Sequence, residues 1–522
     1  MLDVQEFTIS QAHEGFLSRN FTCHDLVSAF LERIGRLDKK DHESGPKINS
    51  TMALSSTALT EASELDTYFQ SSGGKFKGPL HGIPVLVKDQ ADTKGLVTTY
   101  GSEACKSNIP SEDAFIITKL KNAGAVILGK TTMSEWASTW FSASSSTDWV
   151  STQNPYKSGY DVGGSSSGSA AAVAANFCIL AVAEDTGGSI RCPASFTNTV
   201  GIRPTVGLVS RHGFCPLIKT QDTPGPIART VEDCAKMLDI LVGFDPADEF
   251  TSIAWQNQQT LLKSSNIDTP QSYASNLDPK AITKARLGVV RELFGPSTDP
   301  ASRLVNKVIN NCLSTLSANG TTLIDITIPD LKHYLTYTPT YTLRSRADIN
   351  SFLSTKPHLP SDISQIVPHP HPRPFLDLTS TIAHGPSDPT SDPTYVSRLL
   401  TRDAFQRLLV SIMAQNDLDA LTFPSIQIPA PRHIDAENGR FPTCWDFPVN
   451  TLLASQGRLP AINVPAGFCE AAEADANAEE QIWHGLPVGL ELVSWEYRER
   501  ELFDLARGVE VLVGARKRPV LD

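Results

Sequence analysis

The stretch Gly163-Gly-Ser-Ser-Ser-Gly-Ser169, continued after a small apolar segment by Glu184-Asp-Thr-Gly-Gly-Ser-Ile-Arg191, decides how this chain folds. It contains two turns rich in glycine and serine, with Ser165 in the first Gly–Ser turn and Ser189 in the second. Glycine is a poor choice for regular structure and is used where the backbone has to approach another group closely. We therefore interpret the two turns as parts of one functional site.

The residues between the two turns are small and apolar. Their pattern predicts a helix over Ser169 to Asn176 and a short buried strand over Cys178 to Ala183. A loop, a helix and a strand of this length can fold back on themselves. We therefore expect the second Gly–Ser turn to face the first.

A third part of the site comes from upstream. The segment His81-Gly-Ile-Pro-Val-Leu-Val-Lys88 predicts a short apolar strand that ends in a lysine. A lysine at the end of a buried strand is rare unless it is paired or has a chemical role. Burial lowers the pKa of a lysine from its ordinary value of about 10.4, which favours the neutral amine that a general base requires.

Taken together, these motifs resemble those of the amidase signature family, whose members use a Ser–cisSer–Lys triad. The match extends from about residue 20 to 243 and again from about 417 to 515. The resemblance implies an α/β fold with three α/β/α layers, in which helices flank a large mixed β-sheet. The alternation of predicted strands and helices independently favours an α/β fold. We expect one domain over residues 1–522 with a variable cap at about 330–400.

The resemblance also implies a role for each motif residue. Ser189 would be the nucleophile, Lys88 the base, and Ser165 the relay that passes a proton between them. The Gly164–Ser165 peptide bond would be cis. The support residues that hold the turns would be Ser166, Asp185 and Arg191.

The second Gly–Ser turn also predicts an oxyanion hole. Successive backbone N–H groups of a glycine-rich turn can form a concave nest for a negative oxygen. The donors would belong to Thr186, Gly187, Gly188 and Ser189. The sequence departs from the commonest family pattern at Ser167, where glycine is usual, and at Glu184, where threonine is frequent.

The segment Lys130-Thr-Thr-Met-Ser-Glu-Trp-Ala137 resembles a family segment that leads into a helix next to the substrate pocket. The residues that would form the pocket wall are Trp136, Ala137, Trp140 and Phe141. The alternative interpretation is that the aromatic residues belong to the core, as most aromatic residues at such spacing do. Ala137 is included among the substrate-binding candidates.

Three other segments lead to predictions about organisation. Ala53 to Tyr68 predicts a helix, and the Ser/Gln/Asn-rich residues 251–280 predict a linker. Residues 354–395 are rich in Pro, Ser, Asp and His and have little periodicity. A segment of that length without periodicity is often either disordered or a functional cover.

The composition excludes several classes of function. The net charge of −12 argues against a nucleic-acid surface. No segment is apolar over the roughly 18 residues that a membrane span needs, and the N-terminus has no signal-peptide pattern. The nine cysteines are scattered and never spaced C-x-x-C, which is typical of a reduced, cytoplasmic protein without a zinc site. We expect no metal or cofactor. The sequence is compatible with either a monomer or a homodimer.

Three alternatives stay open. Gly164-Ser-Ser-Ser-Gly168 also matches the nucleophile elbow of α/β-hydrolases, with Ser166 as nucleophile and His212 or His484 as base. The chain could instead be the amidase subunit of a glutamine-dependent amidotransferase, or a scaffold that binds without turnover. The prediction adopted is an amidohydrolase that cleaves the C–N bond of a small-molecule carboxamide through a serine acyl-enzyme, with weak esterase activity.

Overall fold

A mixed β-sheet of eleven strands forms the centre of the molecule. The computed structural model describes residues 2–38, 47–265, 271–470 and 478–521. The strands are β1 (Thr51–Leu54), β2 (Pro84–Lys88), β3 (Val126–Thr131), β4 (Leu180–Asp185), β5 (Val200–Arg203), β6 (Thr223–Ala228), β7 (Arg286–Val290), β8 (Thr322–Ile326), β9 (Ala420–Pro424), β10 (Ala461–Phe468) and β11 (Pro487–Val493). Their order across the sheet is β1-β3-β2-β4-β6-β5-β10-β11-β9-β7-β8.

The pairing directions bring the site motifs to one edge of the sheet. β2 pairs in parallel with β3 and with β4, whereas β4 pairs antiparallel with β6. Because the carboxyl ends of parallel strands meet at the same edge, Lys88 at the end of β2 lies beside the end of β4. The second Gly–Ser turn follows directly from β4. The sheet therefore places the lysine and this turn next to each other.

Helices cover the sheet. In the first half of the chain they are α1 (Ile9–Leu17), α2 (Cys23–Leu37), α3 (Ala58–Ser71), α4 (Phe115–Asn122), α5 (Ser167–Ala174), α6 (Arg191–Phe196), α7 (Val231–Leu241) and α8 (Thr251–Ser265). In the second half they are α9 (Pro300–Ala318), α10 (Leu331–Tyr337), α11 (Tyr341–Leu353), α12 (Asp377–Ala383), α13 (Tyr395–Gln415), α14 (His433–Glu437), α15 (Leu452–Gly457), α16 (Ala478–Gln481) and α17 (Glu499–Val513). Within the described ranges, no helix is long and apolar enough to cross a membrane.

The segment between the two Gly–Ser turns folds as predicted, with its boundaries moved by two residues. Helix α5 is buried at every position, and β4 is buried along its whole length. A helix that is apolar on all sides needs a fully buried place in the fold, and small side chains allow close packing there. A Cβ atom on Gly168 would lie 2.3 Å from the carbonyl oxygen of Ser50. The small residues are therefore required by this packing.

The predicted helix over Ala53 to Tyr68 is wrong at its beginning. Residues 51–54 form the edge strand β1, which pairs antiparallel with β3, and the helix α3 begins only at Ala58. A four-residue apolar segment fits either type of element, so the long-range pairing with β3 decides between them.

Two segments expected to lack regular structure contain helices. Helix α8 occupies the first half of the predicted linker, whose residues 266–270 lie outside the described part of the chain. Within residues 354–395, α12 is held in place by buried Leu378 and Ile382. In both segments the polar composition gives no sign of a helix, because the helices are stabilised by tertiary packing.

Candidate active site

The side chain of Lys88 is completely buried and has three acceptors around its amine. Its Nζ atom donates to Ser165 Oγ at 2.8 Å, to the Glu184 carbonyl oxygen at 3.2 Å and to Glu184 Oε2 at 3.4 Å. Burial lowers the pKa of Lys88 below its ordinary value, although the neighbouring carboxyl groups, Glu184 foremost, act in the opposite direction. This arrangement aims the amine at Ser165.

The two Gly–Ser turns face each other as the sequence predicts. The backbone N–H of Ser166 donates to the carbonyl oxygen of Ser189 at 3.2 Å. The Gly164–Ser165 peptide bond is cis, as the resemblance implies. Lys88, Ser165 and the turn that carries Ser189 therefore form one continuous arrangement at the edge of the sheet.

Asp185 and Arg191 hold the second Gly–Ser turn. The Asp185 carboxylate accepts from the backbone N–H groups of Gly188 at 2.8 Å and Ile190 at 3.1 Å. It also accepts from the side chains of Arg191 and Arg203, each at 3.1 Å. Burial opposes ionisation of Asp185, but the two guanidinium groups outweigh this effect and hold its pKa below the ordinary range.

Arg191 extends the same network into the second half of the chain. Its guanidinium group donates to Glu491 on β11 and to Ser455 Oγ on α15, the latter at 2.8 Å. Arg191, Asp185 and Glu491 are all completely buried. The second Gly–Ser turn is thus fixed by side chains that come from five separate elements, β4, α6, β5, α15 and β11.

The neighbouring side chains leave no room for a Cβ atom at either glycine of this turn. A Cβ atom on Gly187 would lie 2.4 Å from the hydroxyl oxygen of Tyr341, and one on Gly188 would lie 1.9 Å from Thr451 Oγ1. Gly188 also has a φ of +122°, which other residues rarely adopt. The Gly187 carbonyl accepts from Thr451 Oγ1 at 2.8 Å and from Trp140 Nε1 at 3.2 Å, so these neighbours cannot simply move away.

Replacing Gly188 by alanine should therefore disrupt the turn. We expect G188A to lower the rate of amide hydrolysis by about 10²-fold or more, because small displacements of reacting groups have effects of that size. Gly439→Ala is a matched control, since Gly439 has a φ of +77° but has no atom within 4 Å of the added Cβ. Initial rates of both purified variants, normalised to their folded fraction, test this expectation; equal rates would contradict it.

One predicted oxyanion donor is occupied. The N–H of Gly188 already donates to Asp185, so it does not point at a substrate oxygen. The predicted set of four donors is wrong on this point. The N–H groups of Thr186, Gly187 and Ser189 stay candidate donors, and two such groups form a usual oxyanion hole.

A small pocket of about 10 Å³ lies beside Ser189. The residues that line it are Ala137, Ser138, Thr139, Trp140, Gly187, Ser189, Leu217, Tyr341 and Leu378. None of these nine carries a charged side chain. A volume of this size holds about one water molecule, so binding of a larger group requires movement of the lining residues.

The segment predicted as a cap contributes to this pocket. Tyr341 begins α11 and Leu378 lies in α12, and both belong to the 330–400 region. Ser138 and Thr379 are joined by a hydrogen bond between their hydroxyl groups, which connects the 330–400 region to the residues around the pocket. Thr139 Oγ1 also donates to the Phe375 carbonyl at 3.2 Å.

Two of the four residues predicted for the pocket wall lie at the small pocket beside Ser189. Ala137 and Trp140 line the pocket, whereas Trp136 packs against Tyr100 and Phe141 packs among Phe375, Phe441 and Phe447. The expected helix is absent from described residues 132–147, which contain two short 3₁₀ turns. Positive φ angles at Trp136 and Ala137 prevent a continuous helix there.

Two buried carboxyl groups next to Lys88 were not predicted to belong to the site. Glu184 contacts Lys88 directly, and Asp222 is linked to Glu184 through the hydroxyl group of Thr186. Glu184 was visible in the sequence only as a departure from the family pattern. Asp222 gave a weak signal, as an acidic residue directly before the buried strand β6.

The geometry does not favour the nucleophile-elbow interpretation. Ser166 Oγ donates to the backbone carbonyl of Glu184 at 3.2 Å. The imidazole of His212 is about half exposed and lies 3.5 Å from Asp245. The Ser166 hydroxyl is therefore used to hold the two turns together.

Residues 25–503 match the family model described as Amidase. The chain belongs to the amidase family. It is 31% identical over 516 residues to one subunit of glutamyl-tRNA(Gln) amidotransferase from Pseudomonas fluorescens (strain SBW25), with 96% of each chain covered. The corresponding subunit from Alkaliphilus metalliredigens (strain QYMF) is 30% identical, over 99% of this chain and 98% of the relative. The native peptide amidase of Stenotrophomonas maltophilia has a similar structure, with a TM-score of 0.79, 28% identity and 99% of both chains covered.

Membership of the amidase family confirms the resemblance inferred from the motifs, together with the α/β fold. The chain is an amidase signature hydrolase, an enzyme that acts on C–N bonds. The named relatives differ in what they act on, so the family alone leaves the substrate undetermined.

Proposed function

We propose that this protein is a stand-alone amidase that hydrolyses a carboxamide through an acyl-enzyme on Ser189. The observation that carries the proposal is the 2.8 Å contact between the buried Lys88 amine and Ser165 Oγ, directly beside the turn of Ser189. A lysine in this environment is predisposed to be neutral, and a neutral amine can accept a proton from a serine relay.

The proposed reaction has two halves. Ser189 Oγ attacks the amide carbon while its proton passes to Ser165 and the Ser165 proton passes to Lys88. The backbone N–H groups of the second Gly–Ser turn stabilise the oxyanion. When the C–N bond breaks, Lys88 returns a proton through Ser165 to the leaving amine. Water then cleaves the ester by the same route, which releases the acid. Esters that fit the pocket would enter at the same step and give weak esterase activity.

A larger cavity beside the small pocket indicates the class of substrate. It has a volume of about 690 Å³, and Trp140 lines both spaces. Its apolar lining consists of Trp140, Leu293, Leu331, Leu335, Pro339, Trp445, Phe447, Pro448, Val449 and Leu452. Trp445 makes edge contacts with Trp140 and Tyr341, with ring centres 5.6 and 5.5 Å apart. We propose that the substrate carries an apolar or aromatic group that occupies this cavity.

The lining next to Ser189 argues for this class of substrate and against glutamine. Glutamine carries a charged amino and a charged carboxylate group, and the nine residues around Ser189 offer neither group an ion-pair partner. The charged residues that line the larger cavity are Glu292, Lys332 and Arg398. Arg398 already donates to the carbonyl oxygens of Tyr337 and Pro339, and the Glu292 carboxylate accepts from the Ile328 N–H at 2.8 Å. The similarity to a peptide amidase structure supports the same choice, whereas the named amidotransferase subunits keep the second candidate function open.

We also propose that the protein works in the cytoplasm. All nine cysteines are buried free thiols, which is typical of proteins kept in a reducing compartment.

Ammonia release by the isolated chain tests the proposed function. The protein alone would be incubated with hexanamide, benzamide, N-acetylphenylalaninamide and glutamine. We expect release from the apolar amides in the absence of any partner protein, and much less from glutamine at equal concentration. Release from glutamine alone would identify an amidotransferase subunit. No release from any amide, with Ser189 also unreactive toward a fluorophosphonate, would favour the scaffold alternative.

A further inference from the structure

Lys88, Glu184, Thr186 and Asp222 form a buried cluster. Thr186 Oγ1 lies 3.0 Å from Glu184 Oε1 and 2.6 Å from Asp222 Oδ1. A hydroxyl group has one hydrogen, so it can donate to only one of these carboxyl groups. The other carboxyl group completes its contact by carrying a proton and donating to Thr186. These two contacts favour a cluster with one carboxylate and one carboxylic acid.

The surroundings identify Glu184 as the carboxylate. Glu184 contacts the Lys88 amine, whereas no cation within the described residues forms a salt bridge with Asp222. Asp222 accepts instead from the backbone N–H groups of Leu217 and Ile218, at 2.8 and 3.0 Å. Burial raises the pKa of both carboxyl groups, but the charge of Glu184 raises the pKa of Asp222 further, whereas the charge of Lys88 acts to lower the pKa of Glu184. A protonated Asp222 would thus donate to Thr186, whose hydroxyl donates to Glu184.

We propose that Glu184 is a positioning residue for Lys88, which it holds against Ser165 and stabilises as the ammonium ion that forms during acylation. The inference rests on the proposed function. As the O–H bond of Ser189 breaks, its proton passes to Ser165, and the Ser165 proton passes to Lys88 Nζ. The positive charge that results lies 3.4 Å from Glu184 Oε2. When the C–N bond of the substrate breaks, the same proton leaves through Ser165. Glu184 itself exchanges no proton.

Other charged groups also face this cluster. Asp185 follows Glu184 in the chain and is neutralised by Arg191 and Arg203. Glu184 and Asp222 also line a separate cavity of about 210 Å³, whose charged or titratable lining residues are Arg211, His212, Cys215, Lys219, Asp248 and Asp348. Arg211 is paired with Asp248, Lys219 with Glu249, and Asp348 with Arg344. Lys88 is therefore the cation that the Glu184 carboxylate affects most.

The proposal predicts a change in pH dependence with a definite sign. A carboxylate close to an amine favours the ammonium form and so raises the pKa of the lysine. Removing this charge should lower the pKa of Lys88 and move the acid limb of the activity profile to lower pH. We expect E184Q to shift the midpoint of that limb down by about one pH unit or more. The plateau rate should also fall by about tenfold or more, because the base is weaker and its charged form is less stabilised.

The rate constant for fluorophosphonate labelling, measured from pH 5 to 10, provides the test without a known substrate. E184T, which carries the residue frequent in the family, should behave like E184Q, and E184D should keep the wild-type midpoint. Glu499→Gln is a matched control, because Glu499 is a buried carboxylate that accepts from the Thr205 N–H at 2.6 Å. It should not move the midpoint.

The outcomes separate this inference from the proposed function. If the wild-type protein is not labelled at Ser189, the proposed function itself fails. If it is labelled but the midpoint of E184Q is unchanged or higher, Glu184 has only a structural role and the inference is wrong. If E184Q does not fold, E184T and E184D provide the same test. A lower midpoint for E184T than for E184D would support the inference, and equal midpoints would contradict it.

Discussion

Replacing Ser189 by alanine should abolish labelling by a fluorophosphonate and lower amide hydrolysis by about 10⁴-fold or more, as the loss of a serine nucleophile does in other hydrolases. The variant should keep its unfolding midpoint, because Ser189 contributes its backbone carbonyl, and not its side chain, to the contact with Ser166. Intact-mass spectrometry followed by peptide mapping of the adduct measures this result directly.

Ser166→Ala is the matched control for this experiment. Ser166 lies in the facing turn and is completely buried, but its hydroxyl group bonds to the backbone of Glu184. We expect S166A to retain an adduct on Ser189. An adduct on Ser166 in the S189A variant would contradict the assignment and restore the nucleophile-elbow interpretation.

Replacing Arg191 by methionine should produce the largest loss of stability. The change leaves Glu491 without the salt bridge that it makes to Arg191, and Asp185 with Arg203 as its remaining guanidinium. Removing one partner of a buried ion pair typically lowers the free energy of unfolding by about 3–5 kcal/mol. Urea unfolding at pH 7, followed by tryptophan fluorescence, measures the loss.

The pH dependence of this loss provides a second check. The pKa of Asp185 is depressed in the folded protein, so its ionised form contributes stability that is fully present above its ordinary pKa of about 3.9 and is lost only below that value, which leaves the range from pH 5 to pH 8 to Glu491. Burial raises the pKa of Glu491 to about 7, and without Arg191 this carboxyl group would take up a proton even more readily. The difference between R191M and the wild type should therefore be smaller at pH 5 than at pH 8. Arg407→Met, at an arginine that is 70% exposed, should change the free energy of unfolding by less than about 0.5 kcal/mol.

The parts of the site that could be predicted are those encoded by short segments. The two Gly–Ser turns, α5 and β4 follow one another in the chain, so their return to one place follows from local lengths. Lys88 could be added because an apolar strand that ends in a lysine is unusual by itself. The role proposed for Glu184 could not be predicted. It depends on the proximity of Glu184 to Lys88 and Asp222 in the folded chain, and these residues lie 96 and 38 positions away in the sequence.

The same distinction explains the errors in the fold. The strand β1 is defined by pairing with β3, and α12 is held by hydrogen bonds to Ser138 and Cys444, which are distant in the chain. Neither fact is expressed in local hydrophobic periodicity. The N–H of Gly188 is a comparable case. The glycines predict a nest of four donors, but the hydrogen bond from Gly188 to the Asp185 carboxylate follows only from the folded structure.

The contact between Arg191 and Glu491 has a consequence for synthesis of the protein. The two residues are 300 positions apart, and Ser455 lies between them in the sequence. A chain growing on the ribosome therefore contains Lys88, Ser165 and Ser189 long before the partners that fix the second Gly–Ser turn have been made. The site can be completed only when β11 joins the sheet. We therefore expect the nascent chain to lack hydrolytic activity, and fragments that end before residue 491 should be inactive even though they contain every member of the candidate triad.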